Sequence, residues 1–292
     1  MLIKSPPFKA TFISILILFT SSLLRLCQGF QSLSTTTFPL LSKEASYYYY
    51  YYRLSTSLFP LYLTNQNSNN NIDLTNYDFS SKQGWDDFYN HQSSFEWHSS
   101  INTFDILSMI PKAFNKTNLK NRNNILITGN GNSNLPELIY NDHNGQIHIT
   151  VMDYSKTCID ILCKLYNKDE YSNIDCICGD ATNLEQCIKK RNFDMIIDKG
   201  LMDAIMCGEG WNMSLDKYFY GVSLLLKDTK RTTRSSSDDD SCNGQFILIS
   251  YKLSTSTKEY LTDVGERFGI DWMFDINDKS NDRVSFSVGT KR

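Results

Sequence analysis

The chain lacks an excess of positive charge: 29 lysines and arginines stand against 32 acids, for a net charge of −3. That balance excludes the basic field with which proteins hold phosphate backbones, and no nucleic-acid partner is expected. A zinc framework is lacking as well. Cys176-Ile177-Cys178 has no second pair at zinc spacing, so no metal is expected. Histidines number 4 (His91, His98, His143 and His148), and none stands in a pattern that marks a catalytic base. Long apolar runs are missing too. The longest near the start is about a dozen residues, short of the ~20 that span a bilayer.

What is present begins with an address. Lys4 and Lys9 precede the apolar run Phe12–Phe19, and Cys27-Gln28-Gly29 offers a cut before Phe30. This fits a secretory signal over residues 1–29, with an uncleaved anchor over residues 10–26 as the alternative. The apolar segment would engage the membrane during targeting. Phe30 to Ser42 is rich in serine, threonine and leucine and has no acid, which fits a transit peptide. The two together resemble the presequence of algae with secondary plastids and imply delivery to the plastid, with the secretory pathway as the alternative. Tyrosines 47–52 and the asparagines of 65–71 extend a low-complexity linker over residues 30–80, with no packed core. Removal of Cys27 leaves seven cysteines, an odd number. Most lie in apolar patterns, which argues for buried free thiols and a reducing compartment.

From residue 84 the texture becomes that of a folded domain, running to residue 292. Apolar strands read at Ile125–Thr128, Gln146–Met152, Ile174–Cys178, Phe193–Ile197, Gln245–Tyr251, Trp272–Asp275 and Arg283–Gly289. Helices read at Leu135–Tyr140, Lys156–Tyr166, Leu184–Lys190, Leu215–Leu226 and Lys258–Phe268. Such alternation predicts an α/β fold with a parallel sheet and helices on both faces. Ligands then sit beyond the carboxyl ends of the strands. Those ends carry Gly129-Asn130-Gly131, Asp153, Gly179-Asp180-Ala181 and Asp198-Lys199-Gly200. One aspartate after a strand commonly caps the next helix; three, with a glycine turn, suggest more.

The chemistry of these positions suits an adenosine. Asp153 lies 22 positions after Gly131, where a carboxylate accepts both hydroxyls of a ribose. Asp180 can accept from an exocyclic amine. A dinucleotide site wants a third glycine, and Asn134 stands there. Carboxylates at the later strand ends fit S-adenosylmethionine better, because acidic oxygens favour a sulfonium charge.

The segments GWDDFY (84–89), FEWH (95–98), GNGNS (129–133) and DKGLMDA (198–204) together carry a resemblance. The chain resembles class I S-adenosylmethionine-dependent methyltransferases of the methyltransferase-like 13 and elongation-factor-1-alpha lysine methyltransferase group. The resemblance runs from about Trp85 to the C-terminus. It implies a seven-stranded, Rossmann-like, doubly wound sheet with S-adenosyl-L-methionine as cofactor. It also implies N-methylation of a protein acceptor at a lysine or N-terminal amine, with a small-molecule acceptor or a binding-only relative as alternatives. By the same resemblance Gly129, Gly131 and Ser133 would hold the amino-acid end of the cofactor. Asp153 would hold the ribose, with Tyr154 near the adenine and Asp180 and Ala181 at its edge. Asp198 would lie beside the methyl group. Trp85, Glu96 and Trp97 would form a flap over the entrance, with ordinary helix packing as the alternative role for the two tryptophans. Glu96 and Asp198 are the candidate catalytic residues, orienting an acceptor amine that must first lose its proton. Asn130, Leu201 and His98 depart from the group's cysteine, threonine and tyrosine. The polar stretch 227–243, half basic and half acidic, reads as a solvated loop.

Overall fold

A computed structural model describes residues 73–92, 95–98, 106–107, 124–167, 169–228, 243–276 and 284–292. The signal and transit-like segments, the tyrosine and asparagine runs, and positions 229–242 of the polar stretch lie outside the described residues, as do the expectations attached to them. Among the described residues no helix is long and apolar enough to cross a membrane.

Alternating side chains explain the layers. In β1 (Asn124–Thr128), Ile125 and Ile127 face one side and Leu126 the other. In β5 (Gln245–Tyr251), Ile247 and Ile249 face the first side, Phe246 and Leu248 the second. Both sides must be covered, so helices pack on each. The first is covered by α1 (Lys82–His91), α2 (Leu135–Asp142) and α3 (Lys156–Tyr166). The second is covered by α4 (Leu184–Cys187), α5 (Leu201–Met206), α6 (Trp211–Leu225) and α7 (Thr255–Phe268). Serines start three of these helices: Ser81, Ser155 and Ser254 accept backbone N–H bonds from Gly84, Cys158 and Thr257.

The remaining strands are β2 (His148–Asp153), β3 (Ile174–Cys178), β4 (Met195–Lys199), β6 (Ile270–Met273) and β7 (Val284–Lys291). They assemble into a seven-stranded sheet in the order β3-β2-β1-β4-β5-β7-β6. The chain winds outward from β1 to β3, then returns to lay β4 beside β1 in parallel, with Thr128 opposite Asp198. The connections after β1 and β4 therefore leave in opposite directions and open a crevice at those tips.

Four expectations need correction. The sheet is mixed, because β7 runs antiparallel to both β5 and β6. Only ten residues join β6 to β7, too few for the crossover a parallel pair needs. The helix after β3 is also shorter than expected, ending at Cys187, with a 3-10 turn at Ala181–Asn183 before it. Of the described cysteines, all free, only Cys158 is buried, while Cys163 and Cys178 are exposed. The packed region also begins before residue 84, since Leu74 and Phe79 are buried in the first core.

The second core depends on Phe219, which is fully buried and set edge-on to Phe246 and Trp272. Phe219→Ala is expected to cost about 3–5 kcal/mol, read as a shift in the urea midpoint of the full chain. A loss under about 1 kcal/mol would mean this face is not close-packed.

Candidate functional site

The turn after β1 is shaped by two glycines at positive φ, Gly129 at 58° and Gly131 at 59°. A side chain is also excluded at Gly129 by space, since a Cβ there would stand 2.7 Å from the Leu201 Cβ. Between them Asn130 is buried and its Nδ2 donates to the carbonyls of Gly131 and Ser133. Its own N–H donates to the Met152 carbonyl at 3.2 Å. The turn is thereby tied to the tip of β2.

Asp153 completes that tie. Its Oδ2 accepts the Gly131 N–H and its Oδ1 the Ser155 N–H, both at 2.9 Å. The residue is 6% exposed and still reaches a cavity of about 280 Å³ beside the turn. That volume lies near the lower end of ligand pockets, roughly 300–1,000 Å³. Burial pushes the Asp153 carboxyl up to about 6 against the backbone N–H groups that hold its ionised form. Tyr154, next along, lines the same cavity. Burial and the Asp180 and Asp153 charges push its phenol up to about 12.

Trp85, Trp97, Gly129, Asp153, Tyr154, Asp180 and Ala181 all line this cavity. The aromatic part of the wall is the N-terminal segment. Trp85 donates its indole N–H to the Phe79 carbonyl and stacks on Tyr89. Phe79 and Tyr89 line the cavity with the two tryptophans. Trp97 sits edge-on to Phe79, with centroids 5.6 Å apart. The tryptophans thus pack on the first core and wall the cavity at once.

Four expected site residues do not line the cavity: Glu96, Gly131, Ser133 and Asp198. Each is committed elsewhere. Gly131 gives its N–H to Asp153. Ser133 donates its hydroxyl to Glu96 Oε2 at 2.7 Å and accepts the Leu135 N–H. The other Glu96 oxygen pairs with Lys199, so Ser133 and Glu96 are joined to each other and to the wall beside the cavity. Asp198 is fully buried behind the wall. Its Oδ1 accepts from Leu201 N–H and its Oδ2 from Met202 N–H and the Tyr218 hydroxyl. It therefore caps α5 and anchors α6, which corrects the reading of it as a group beside the methyl. Asp180 caps as well, accepting from Thr182 N–H and hydroxyl on Oδ1, while its Oδ2 has only a long contact with Asn183.

Sequence reasoning gave no role to three groups now seen at or behind the wall. Lys199 lines the cavity at 7% exposure. Glu209, exposed in the α5–α6 connection, lines its mouth. His98 is buried at a φ of 57°, with Nε2 3.3 Å from Asp203 and its ring beside Gly200. The signal for Lys199 was its place at a strand tip, in a tripeptide read only for its aspartate. Among the described residues no group of three histidines, cysteines or acids forms a metal-binding cluster.

No family model matches the chain, and no curated protein matches it. Solved structures do. The carbon methyltransferase CurJ is similar at 12% identity and a TM-score of 0.51, over 88% of this chain and 72% of that one. The YcgJ protein of Bacillus subtilis is similar at 10% identity and a TM-score of 0.42, over 59% of this chain and 92% of that one. Haemonchus contortus phosphoethanolamine N-methyltransferase 2, solved with S-adenosyl-L-methionine, is similar at 13% identity and a TM-score of 0.44, over 73% and 60%. The match to CurJ shows the fold: the seven-stranded mixed sheet with flanking helices is the Rossmann-like fold of class I methyltransferases.

Burial, with Asp203 nearby, pushes the Asp198 carboxyl up to about 7 despite its hydrogen bonds. An acid whose folded pKa lies above its unfolded one supports the fold fully at low pH. That support is lost as pH rises from about 4 to about 7. Wild type is therefore expected to lose stability relative to Asp198→Asn across that window, on the order of a few kcal/mol. Denaturant unfolding at pH 4.5 and pH 8 reads the difference. Parallel pH profiles for the two proteins would mean that Asp198 is ionised throughout.

Proposed function

We propose that the protein is an S-adenosylmethionine-dependent methyltransferase that acts on amines of a protein acceptor. The observation that carries this reading is the buried Asp153 carboxylate, fixed by the glycine turn and exposed to the cavity at the tip of β2. The Asp153 oxygens take backbone N–H groups from Gly131 and Ser155, and a carboxylate has about four acceptor positions, which leaves room for the hydroxyls of a ribose. Asp180 Oδ2 is available to an exocyclic amine, with Ala181 and Tyr154 beside it. The aromatic wall of Phe79, Trp85, Tyr89 and Trp97 excludes water, and aromatic faces favour a cation. When bound, S-adenosylmethionine supplies an activated methyl on a sulfonium, and an acid-lined wall suits that positive charge.

The acceptor reading rests on the mouth. A donor would take up most of a cavity of about 280 Å³, and an acceptor with a slender arm, such as a lysine side chain, would suit the space that remains at its mouth. Glu209 gives that mouth a negative charge that would draw and orient a cationic amine. Neither Glu96 nor Asp198 is assigned a catalytic role, because both are committed away from the cavity. The chain's contribution is alignment and exclusion of water.

Calorimetry with S-adenosylmethionine is expected to show binding by wild type and a weakening of about tenfold or more in Asp153→Ala. Wild type that ignores millimolar donor would end the donor reading. Labelled methyl transfer into a lysate, resolved on a gel, tests the acceptor, with label expected in a protein band. Label only in small molecules would shift the acceptor class, and binding without any transfer would make the protein a binding module.

For the address, we propose plastid delivery through residues 1–42, with the free thiols in keeping with a reducing compartment. A tagged full-length chain imaged in an alga with secondary plastids is expected in the plastid; diffuse cytosolic signal would rule this out.

A further inference from the structure

Two thiols meet at the edge of the sheet. β3 is an edge strand, and its alternation turns Ile174 and Cys176 toward the first core and Ile177 toward the second. α3 packs on β3 there and buries Ile159, Leu162 and Tyr166. Cys163, next to Leu162, stays exposed at the rim of that packed face, while Cys176 is half-buried. The two thiols share a hydrogen bond. Neither lines the cavity, so the pair stands apart from the donor site. Exposure gives a reagent in solution access to Cys163. Burial, with Cys163 beside it, pushes the Cys176 thiol up to about 12, which makes it a poor first nucleophile.

We propose that Cys163 and Cys176 form a reversible disulfide, made by exchange with a small-molecule disulfide of the glutathione type. Cys163 gives its proton to water, and its thiolate attacks one sulfur of the reagent. The reagent's S–S bond breaks and one thiolate leaves. Cys176 then loses its proton, attacks the Cys163 sulfur and displaces the second thiolate. The protein is oxidised by two electrons and the reagent is reduced to two thiols. The high pKa of Cys176 is offset in that second step by its contact with Cys163, which makes the attack intramolecular. α3 begins beside Asp153 and β3 ends just before Asp180, so the bond joins the elements that carry both acidic tips.

The test treats the reduced full chain with oxidised glutathione, caps the remaining thiols, and maps the digest by tandem mass spectrometry. A peptide pair joined through Cys163 and Cys176 is expected, and dithiothreitol is expected to release it. Cys178→Ser is expected to keep that bond. Cys176→Ser is expected to hold glutathione on Cys163 at about tenfold or more the wild-type level, because the displacing thiol is gone. Cys176→Ala serves if serine at this half-buried position impairs folding. In Cys163→Ser, Cys176 is expected to take up glutathione about tenfold or more slower than Cys163 does in wild type. The closed loop is short and joins elements already in contact, so oxidised wild type is expected to melt about 5 °C or more above the reduced chain. Cys163→Ser is expected to show no such rise. Glutathione left on Cys163 in wild type, or a bond made instead through Cys158 or Cys178, would overturn the assignment. So would a fall in melting temperature on oxidation, since the bond would then form only by distorting the edge.

Discussion

The carboxylate of Asp153 is where the glycine turn, the second strand and the start of α3 are joined. Its two oxygens take N–H groups from Gly131 and Ser155, one on either side of the crevice. A buried carboxylate is costly unless donors compensate it, and burial does raise its pKa, to about 6. The compensation fixes geometry. Gly131 must present its N–H inward, which demands the positive φ that only glycine adopts cheaply. With the inner lone pairs so used, the outer ones are held at the cavity wall without freedom to swing. A ligand that meets Asp153 therefore meets a preorganised acceptor.

The N-terminal segment is tied to the same place by polar bonds and filled in by rings. Asp86 on α1 accepts from the Ser155 hydroxyl and the Thr157 N–H at the start of α3. Burial opposes its charge, yet those bonds hold its carboxyl below the usual range. Asn132 reaches back to the Gln92 carbonyl and accepts the Phe95 N–H. Lys199 and Glu96 close the far side. The Glu96 side chain is 41% exposed, so this pair contributes less than a wholly buried one. Specificity comes from the number of such ties, because each fixes a different residue of the segment over the sheet. The rings of Phe79, Trp85 and Trp97 then bury apolar area that no polar tie supplies.

Much of this was legible where local pattern and burial agree. The bounds of α3, β3 and β5 follow directly from apolar spacing; α3 and β5 each lay an apolar face against a core, and β3 buries Ile174 at its start. Helix α5 was not legible as a helix. Its six residues are too few to show a period, and it stands because Asp198 caps it from within β4. That same bond explains the misreading of Asp198. An aspartate at a strand tip looks alike whether its oxygens face a cavity or the next turn, and only the fold decides. The direction of β7 was legible in principle from the short link after β6. Lys199 was not: a lysine reads as solvated until a neighbouring segment covers it, and Trp97 and Glu96 come from about a hundred positions away.

The competing dinucleotide reading fails on the same bonds. A glycine turn cradles a pyrophosphate by offering free backbone N–H groups to its oxygens. Here the Asn130 N–H is given to Met152 and the Gly131 N–H to Asp153. A phosphate approaching the turn would find those donors occupied and a carboxylate in front of it. Lys199 alone cannot offset that, because its charge is already paired with Glu96. A ligand with one carboxylate and a positive sulfur asks for the reverse arrangement: one partly satisfied cation at one end and acidic oxygens along the rest. Asn134 in place of a third glycine leaves that arrangement intact, since the third glycine of a dinucleotide turn serves close helix–strand packing rather than the bonds around Asp153. Charge placement, more than the count of glycines, separates the two classes of nucleotide at this crevice.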